Sequence, residues 1–299
     1  MNPYNIEPIS ETDSIAGETP VWDYDRNLLY WTDLLDKKIH CLNADTGEVK
    51  RLDVGSKIGT IVLRQNGGLV AALETGFNFV DFESGKIEMI LDPEPDRPNN
   101  RFNDGKCDCR GRLWISTVSQ NFEKGCATMD PLGRVYCLEP DIRVKVILDK
   151  VVQVNGMAWS ADNKLMYLID TCSFKIIQFE FDQNKGQVSN PRTAVKIPED
   201  FSYPDGMCMD TEGSLWVGHW GGYQLSRWDP NTGKLLEKVR FPAPHITCCA
   251  FGGKEMDELY VTTACFGMSE EEKAINSDAG KLFRLKPGVR GFKAYKFSA

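Results

Sequence analysis

With 299 residues, 41% of them hydrophobic, the chain has enough apolar material for a large buried core. Its formal net charge of -8 excludes the polyanion binders, which hold phosphates through clustered Lys and Arg. No apolar run is long enough to cross a bilayer as a helix, and the opening MNPYNIEPISETD lacks a signal peptide's basic and apolar regions, so a cytoplasmic protein with no nucleic-acid or membrane partner is expected.

Along the chain, a polar or Gly-containing turn followed by Leu and a β-rich run recurs. It appears in DRNLLYWTD around Leu29, QNGGLVAALE around Leu69 and CRGRLWISTV around Leu113, then in ADNKLMYLID around Leu165, TEGSLWVGHW around Leu215 and KEMDELYVTT around Leu259. The spacing of roughly 40 to 52 residues is that of a four-stranded propeller blade, so six markers predict an all-β, six-bladed β-propeller of four-stranded blades around a central channel. Turns such as ADTG and DPNTG separate alternating strands within a period, and MSEEEKAI near Glu270 is the one helix-like stretch, read as a loop insertion. The first strand, near YNIEPIS, is expected to close the ring beside FKAYKFS. No linker or low-complexity segment divides residues 1–299, which predicts a single domain, and a monomer is expected. The ten cysteines sit mostly in apolar runs such as VYCL and ITCCAF and read as reduced core thiols.

A second repetition carries the chemistry. FNDGKCDC, VNGMAWS and YPDGMCMD each place Asn or Asp before Gly at an expected inner strand, and GETPVWDY places Glu18 likewise. Asn and Asp before Gly are also ordinary turn formers. In a propeller, however, the inner strands line the channel, so Glu18, Asn155 and Asp205 are predicted to meet at one mouth, near Asn103 and Asp104. Two carboxylates and one amide oxygen suit a hard divalent cation, Ca²⁺ foremost, with Mg²⁺, Mn²⁺ or Zn²⁺ as alternatives, and leave coordination positions for water and substrate. No Ser/His/Asp or Cys/His signature appears. His219 and Trp220 end an inner strand and read as blade packing, with a reach into the channel as the alternative, and Asp33 and Asp170 read as hydrogen-bonding strand ends, with chemistry as the alternative.

The motifs GETPVW, NNRFNDGKCDCRGRLW, VNGMAWS, YLID and YPDGMCMDTEGSLWV, in this order nearly end to end, resemble the SMP-30/gluconolactonase/luciferin-regenerating-enzyme family. The resemblance implies a sugar lactonase: hydrolysis of an aldonolactone such as gluconolactone or a pentonolactone by metal-activated water. Carried onto these motifs, Glu18, Asn155 and Asp205 are the implied metal ligands, and Arg101 and Asn103 contact substrate with Asp104 beside them; Asp205, holding the metal through one oxygen, is expected to act as general base through the other. Gln120 and Asn121 stand where animal members carry an acidic pair, which bears on sugar preference. A calcium-binding propeller without catalysis and a phosphotriesterase-like metal hydrolase are the alternative readings.

Overall fold

The computed structural model describes residues 4–9, 14–120, 126 and 129–299. The fold is all-β, with Glu270–Ile275, capped by Ser269, as its only α-helix among the described residues. Four antiparallel four-stranded sheets follow in chain order, their first strands being Gly17–Asp23, Ile58–Leu63, Asn100–Cys107 and Val154–Trp159. The remaining strands form one eight-stranded sheet. It consists of a meander from Tyr203–Met209 to Lys234–Arg240 and another containing His245–Gly252, Glu258–Ala264, Phe283–Leu285 and Glu7–Pro8, linked by the pair Trp220↔His245. This arrangement is consistent with a propeller.

Burial follows position within each sheet. Ile58–Leu63 and Val154–Trp159 are buried along their whole length, whereas last strands such as Val49–Asp53 and Lys234–Arg240 are charged and largely open to water. The first strands pack on one another in sequence, and His245–Gly252 packs back on Gly17–Asp23. The apolar core between first and last sheets is continuous, with Trp22 stacked on Tyr260 at 5.4 Å.

The repeated turn before Leu now has a physical cause. Asp108 Oδ1 accepts from the backbone N–H groups of Arg110 and Arg112, and its Oδ2 from Trp114 Nε1 at 2.8 Å and Arg112 Nε at 2.7 Å. Asp210 does the same for Glu212, Ser214, Trp216 and Arg227. Each carboxylate therefore fixes a turn and locks the buried Trp of the next strand.

Chain closure departs from the sequence expectation. Glu7–Pro8 does join the last meander, but its partner is Phe283–Leu285 rather than FKAYKFS. That segment instead crosses the other end of the sheets, where the Phe297 N–H donates to Leu63 O, the Ser298 N–H to Gly111 O and the Phe297 ring is fully buried. A two-stranded pairing satisfies the short N-terminal strand, while the apolar Phe297 gains more by burial between sheets.

His40 illustrates the cost of a polar ring in this core. It stacks on Trp31 at 4.8 Å, and neither ring nitrogen has a hydrogen-bond partner among the described residues. Burial lowers its pKa to about 4, against the pull of Asp33. The unfolded chain therefore takes up a proton near its ordinary value of ~6.5 that the folded chain refuses, and stability falls as pH drops from there towards about 4. His40→Phe keeps the stack and removes this linkage. Urea unfolding should show the variant gaining ~2 kcal/mol on the parent between pH 7.5 and pH 5. An equal difference at both pH values would mean that the folded ring is open to protons.

Candidate functional site

The first strands of the four four-stranded sheets, and the strands Tyr203–Met209 and His245–Gly252 of the larger sheet, carry an irregularity at the same end. The register shifts between Glu18 and Val21, Ile58 and Thr60, Phe102 and Gly105, Val154 and Met157, Pro204 and Met207, and Ile246 and Cys248. A bulge bends the strand and re-aims the side chain at that point. Glu18, Asn103, Asp104, Asn155 and Asp205 all lie at these bulges and line one cavity of about 450 Å³. They are thus inside the first strands rather than just ahead of them, because the bulge provides the turning that the sequence assigns to a loop.

The glycines answer to close approach. A Cβ on Gly156 would meet Met207 N at 2.5 Å, and one on Gly206 would meet Cys248 Sγ at 2.3 Å. Only a residue without a side chain lets adjacent first strands approach this closely at the bulge.

A hydrogen-bond chain sets the amides. Asn155 Nδ2 donates to Thr171 Oγ1 at 2.8 Å, and that hydroxyl donates to Pro204 O. The Asn155 carbonyl oxygen therefore points towards Asn103, whose Nδ2 donates to it at 2.6 Å and to Val154 O at 2.9 Å. Arg101 Nη1 in turn donates to Asn103 Oδ1 at 2.8 Å. Both Asn103 amide hydrogens are consumed, so this residue positions Asn155 and Arg101 and retains acceptor capacity only.

The carboxylates are treated differently. Asp104 Oδ1 accepts from the Gly105 N–H at 2.7 Å and Glu18 from the backbone N–H of Thr19, but neither the Glu18 nor the Asp205 carboxylate accepts from a side chain among the described residues. Burial, then the charges of Asp205 and Asp104, push the Glu18 carboxyl well above the usual range, against the pull of Arg101. Asp205 is raised in the same way by burial and by Asp104. Burial lowers Arg101 to about 10, opposed by Glu18, Asp205 and Glu74. Two acids, offset only in part by Arg101, and a fixed amide oxygen thus face one space, an arrangement whose donor chemistry fits a hard divalent cation. No group of three or more His, Cys, Asp or Glu suited to a metal occurs among the described residues, and the set here depends on the Asn155 amide as its third member.

Several cavity residues had no role in the sequence reading. Lys57 donates to Gln120 Oε1 at 2.6 Å and to Glu74 at 3.3 Å, and Gln120 Nε2 reaches Glu74 at 3.1 Å. Gln120 lines the cavity, whereas Asn121 is outside the described residues. Leu34, Leu35, Tyr203, Trp220 and Phe266 also line the cavity. Trp220 therefore reaches the cavity, unlike His219, which is fully buried with Nε2 2.6 Å from Ser226 Oγ. Asp33 accepts backbone N–H groups from Ile15, Ala16, Leu35 and Asp36 and is structural. Cys126 and Cys172 form a disulfide beside the cavity, an exception to the reduced-thiol expectation that no local spacing announces.

Four-stranded meanders whose first strands bring carboxylates and an amide to one end define a propeller-type scaffold with an oxygen-rich pocket. The chain belongs to the SMP-30/gluconolactonase/LRE-like family, whose model matches residues 16–265. It is 37% identical over 291 residues to regucalcin of Xenopus laevis, covering 97% of each chain. Its structure is similar to that of luciferin-regenerating enzyme, with a TM-score of 0.92 and 30% identity over 99% of this chain and 100% of the other. A calcium-binding protein, regucalcin, from Agrobacterium tumefaciens has the same fold, with a TM-score of 0.92 and 22% identity over 99% and 98% of the two chains. No helix among the described residues is long and apolar enough to cross a membrane.

Proposed function

We propose that the chain is a metal-dependent sugar lactonase built as a single six-bladed propeller. The eight-stranded sheet divides at its one linking pair, Trp220↔His245, into two four-stranded meanders, which with the other four sheets makes six. The observation that carries the function is the convergence of Glu18, Asp205 and the Asn155 oxygen on one cavity, with Arg101 offsetting the two carboxylates only in part. Family membership and the likeness to a calcium-binding relative support the same reading, with Ca²⁺ as the preferred ion.

Glu18, Asn155 and Asp205 would hold the ion, which supplies charge neutralisation and a Lewis acid for the lactone carbonyl. Asp205 takes the proton of the attacking water as the carbonyl carbon gains its new C–O bond, and the proton passes to the ring oxygen as the ring C–O bond breaks. Arg101 offers donors to substrate hydroxyls, steadied by Asn103 Oδ1. Asp104 lines the floor beside them.

The test is proton release from a panel of aldonolactones and a phosphotriester at matched ion loading. Turnover of a lactone well above the spontaneous rate, with none of the phosphotriester, is expected. Ion-loaded protein that hydrolyses no lactone would refute the reading.

A further inference from the structure

The cavity wall is divided by chemistry around the ring. Above the acidic floor, the sheets beginning at Ile58, Asn100 and Val154 contribute Lys57, Gln120 and Gln153 to the wall, with Met129 and the disulfide-bonded Cys126 as the apolar members on that side. The other half, from the Tyr203 and His245 meanders and the Gly17 sheet, contributes Tyr203, Trp220, Phe266, Leu34 and Leu35. These three units are neighbours around the ring, because His245–Gly252 packs against both Tyr203–Met209 and Gly17–Asp23.

The apolar half is built and held open. Trp220 and Tyr203 are directly opposed across their strand pair. Trp220 is backed by His245, stacked at 4.2 Å, and Tyr203 by Phe174, stacked at 5.3 Å. Phe266 meets the Trp220 edge at 6.5 Å and is 52% exposed, and Tyr203 is 40% exposed. Rings pinned from behind lose little freedom when a ligand covers them, so the wall is pre-organised for apolar contact. An aromatic face also accepts the C–H face of a sugar. Leu34, Leu35 and Phe266, however, have no side-chain polar atom and give nothing to a ring whose every carbon carries a hydroxyl. A cavity of about 450 Å³ is also within the range of drug-sized ligands, ~300–1,000 Å³.

We propose that the preferred substrate is an amphipathic sugar lactone: its hydroxyl-bearing ring sits on the acidic floor and the Lys57–Gln120 side, and an apolar substituent on that ring lies against Trp220, Phe266, Tyr203 and the two leucines. This rests on the lactonase reading and adds the substrate class. The test compares kcat/KM for a hexono-1,5-lactone with a series of its 6-O-alkyl ethers of increasing chain length. Each added methylene should raise kcat/KM about fourfold until the wall is covered. Trp220→Ala and Phe266→Ser should each lower the ratio of alkyl-ether to hexonolactone kcat/KM at least tenfold.

Calorimetry with the corresponding 6-O-alkyl lactam, which is not turned over, separates the two claims. Binding with negative heat capacity that weakens tenfold in Phe266→Ser supports the wall even if no lactone is hydrolysed, in which case the lactonase reading alone fails. A preference for the hexonolactone, with no lactam binding and an unchanged substrate ratio in both variants, would overturn the proposal.

Discussion

Asp205→Ala should lower kcat/KM on the best lactone by ~10³ or more, since one substitution removes both the general base and a ligand of the ion. The same change should not weaken the fold. The Asp205 carboxylate accepts no side-chain hydrogen bond among the described residues, while burial and Asp104 make its charge costly. Chelator-treated variant should therefore melt at or above the temperature of chelator-treated parent. A catalytic carboxylate kept at a cost in stability is the usual trade at an active site. Activity within tenfold of the parent would remove Asp205 from the mechanism.

Stripping the ion should abolish turnover and destabilise the protein together. An ion that binds only the folded chain contributes ~2.7 kcal/mol at a hundred times its Kd. For a chain of this size that is roughly 4 °C in melting temperature. Physically, removal leaves Glu18 and Asp205 facing each other beside Asp104 with Arg101 as the counter-charge, and each carboxyl drifts towards its protonated form. Restoring one divalent ion should return both activity and melting temperature. Turnover that survives exhaustive chelation would leave the acidic floor without its proposed partner.

Much of this site is legible in the sequence because it repeats. Asn155-Gly156 and Asp205-Gly206 announce the same local event twice, and the reason for each glycine is the neighbouring strand that a Cβ would strike. Sequence pattern alone leaves open that the event is a bulge within the strand rather than a turn before it, since both use the same residues. The rim was harder to read. Register pairs Gly17 with Asp33, Ile58 with Leu73, Asn100 with Ser119, Val154 with Asp170 and Tyr203 with Trp220, so the end of each second strand faces the start of its first. Leu34, Glu74, Gln120 and Thr171 follow directly, and every one of them lines the cavity or contacts a residue that does. Applying the antiparallel register to the repeat would have selected them. The Cys126–Cys172 bridge has no such signal, because it joins two loops 46 residues apart whose proximity exists only once the sheets are packed.

The most direct measurement is a titration of chelator-treated protein with Mn²⁺, followed by electron paramagnetic resonance, on the parent and on Glu18→Ala, Asn155→Ala and Asp205→Ala, with lactone turnover recorded with Ca²⁺ on the same preparations. One site per parent chain, weakened at least a hundredfold in each variant, with turnover rising in step with occupancy, is the predicted result. Full-affinity binding in any of the three variants, or lactone turnover in the ion-free parent, would contradict the account.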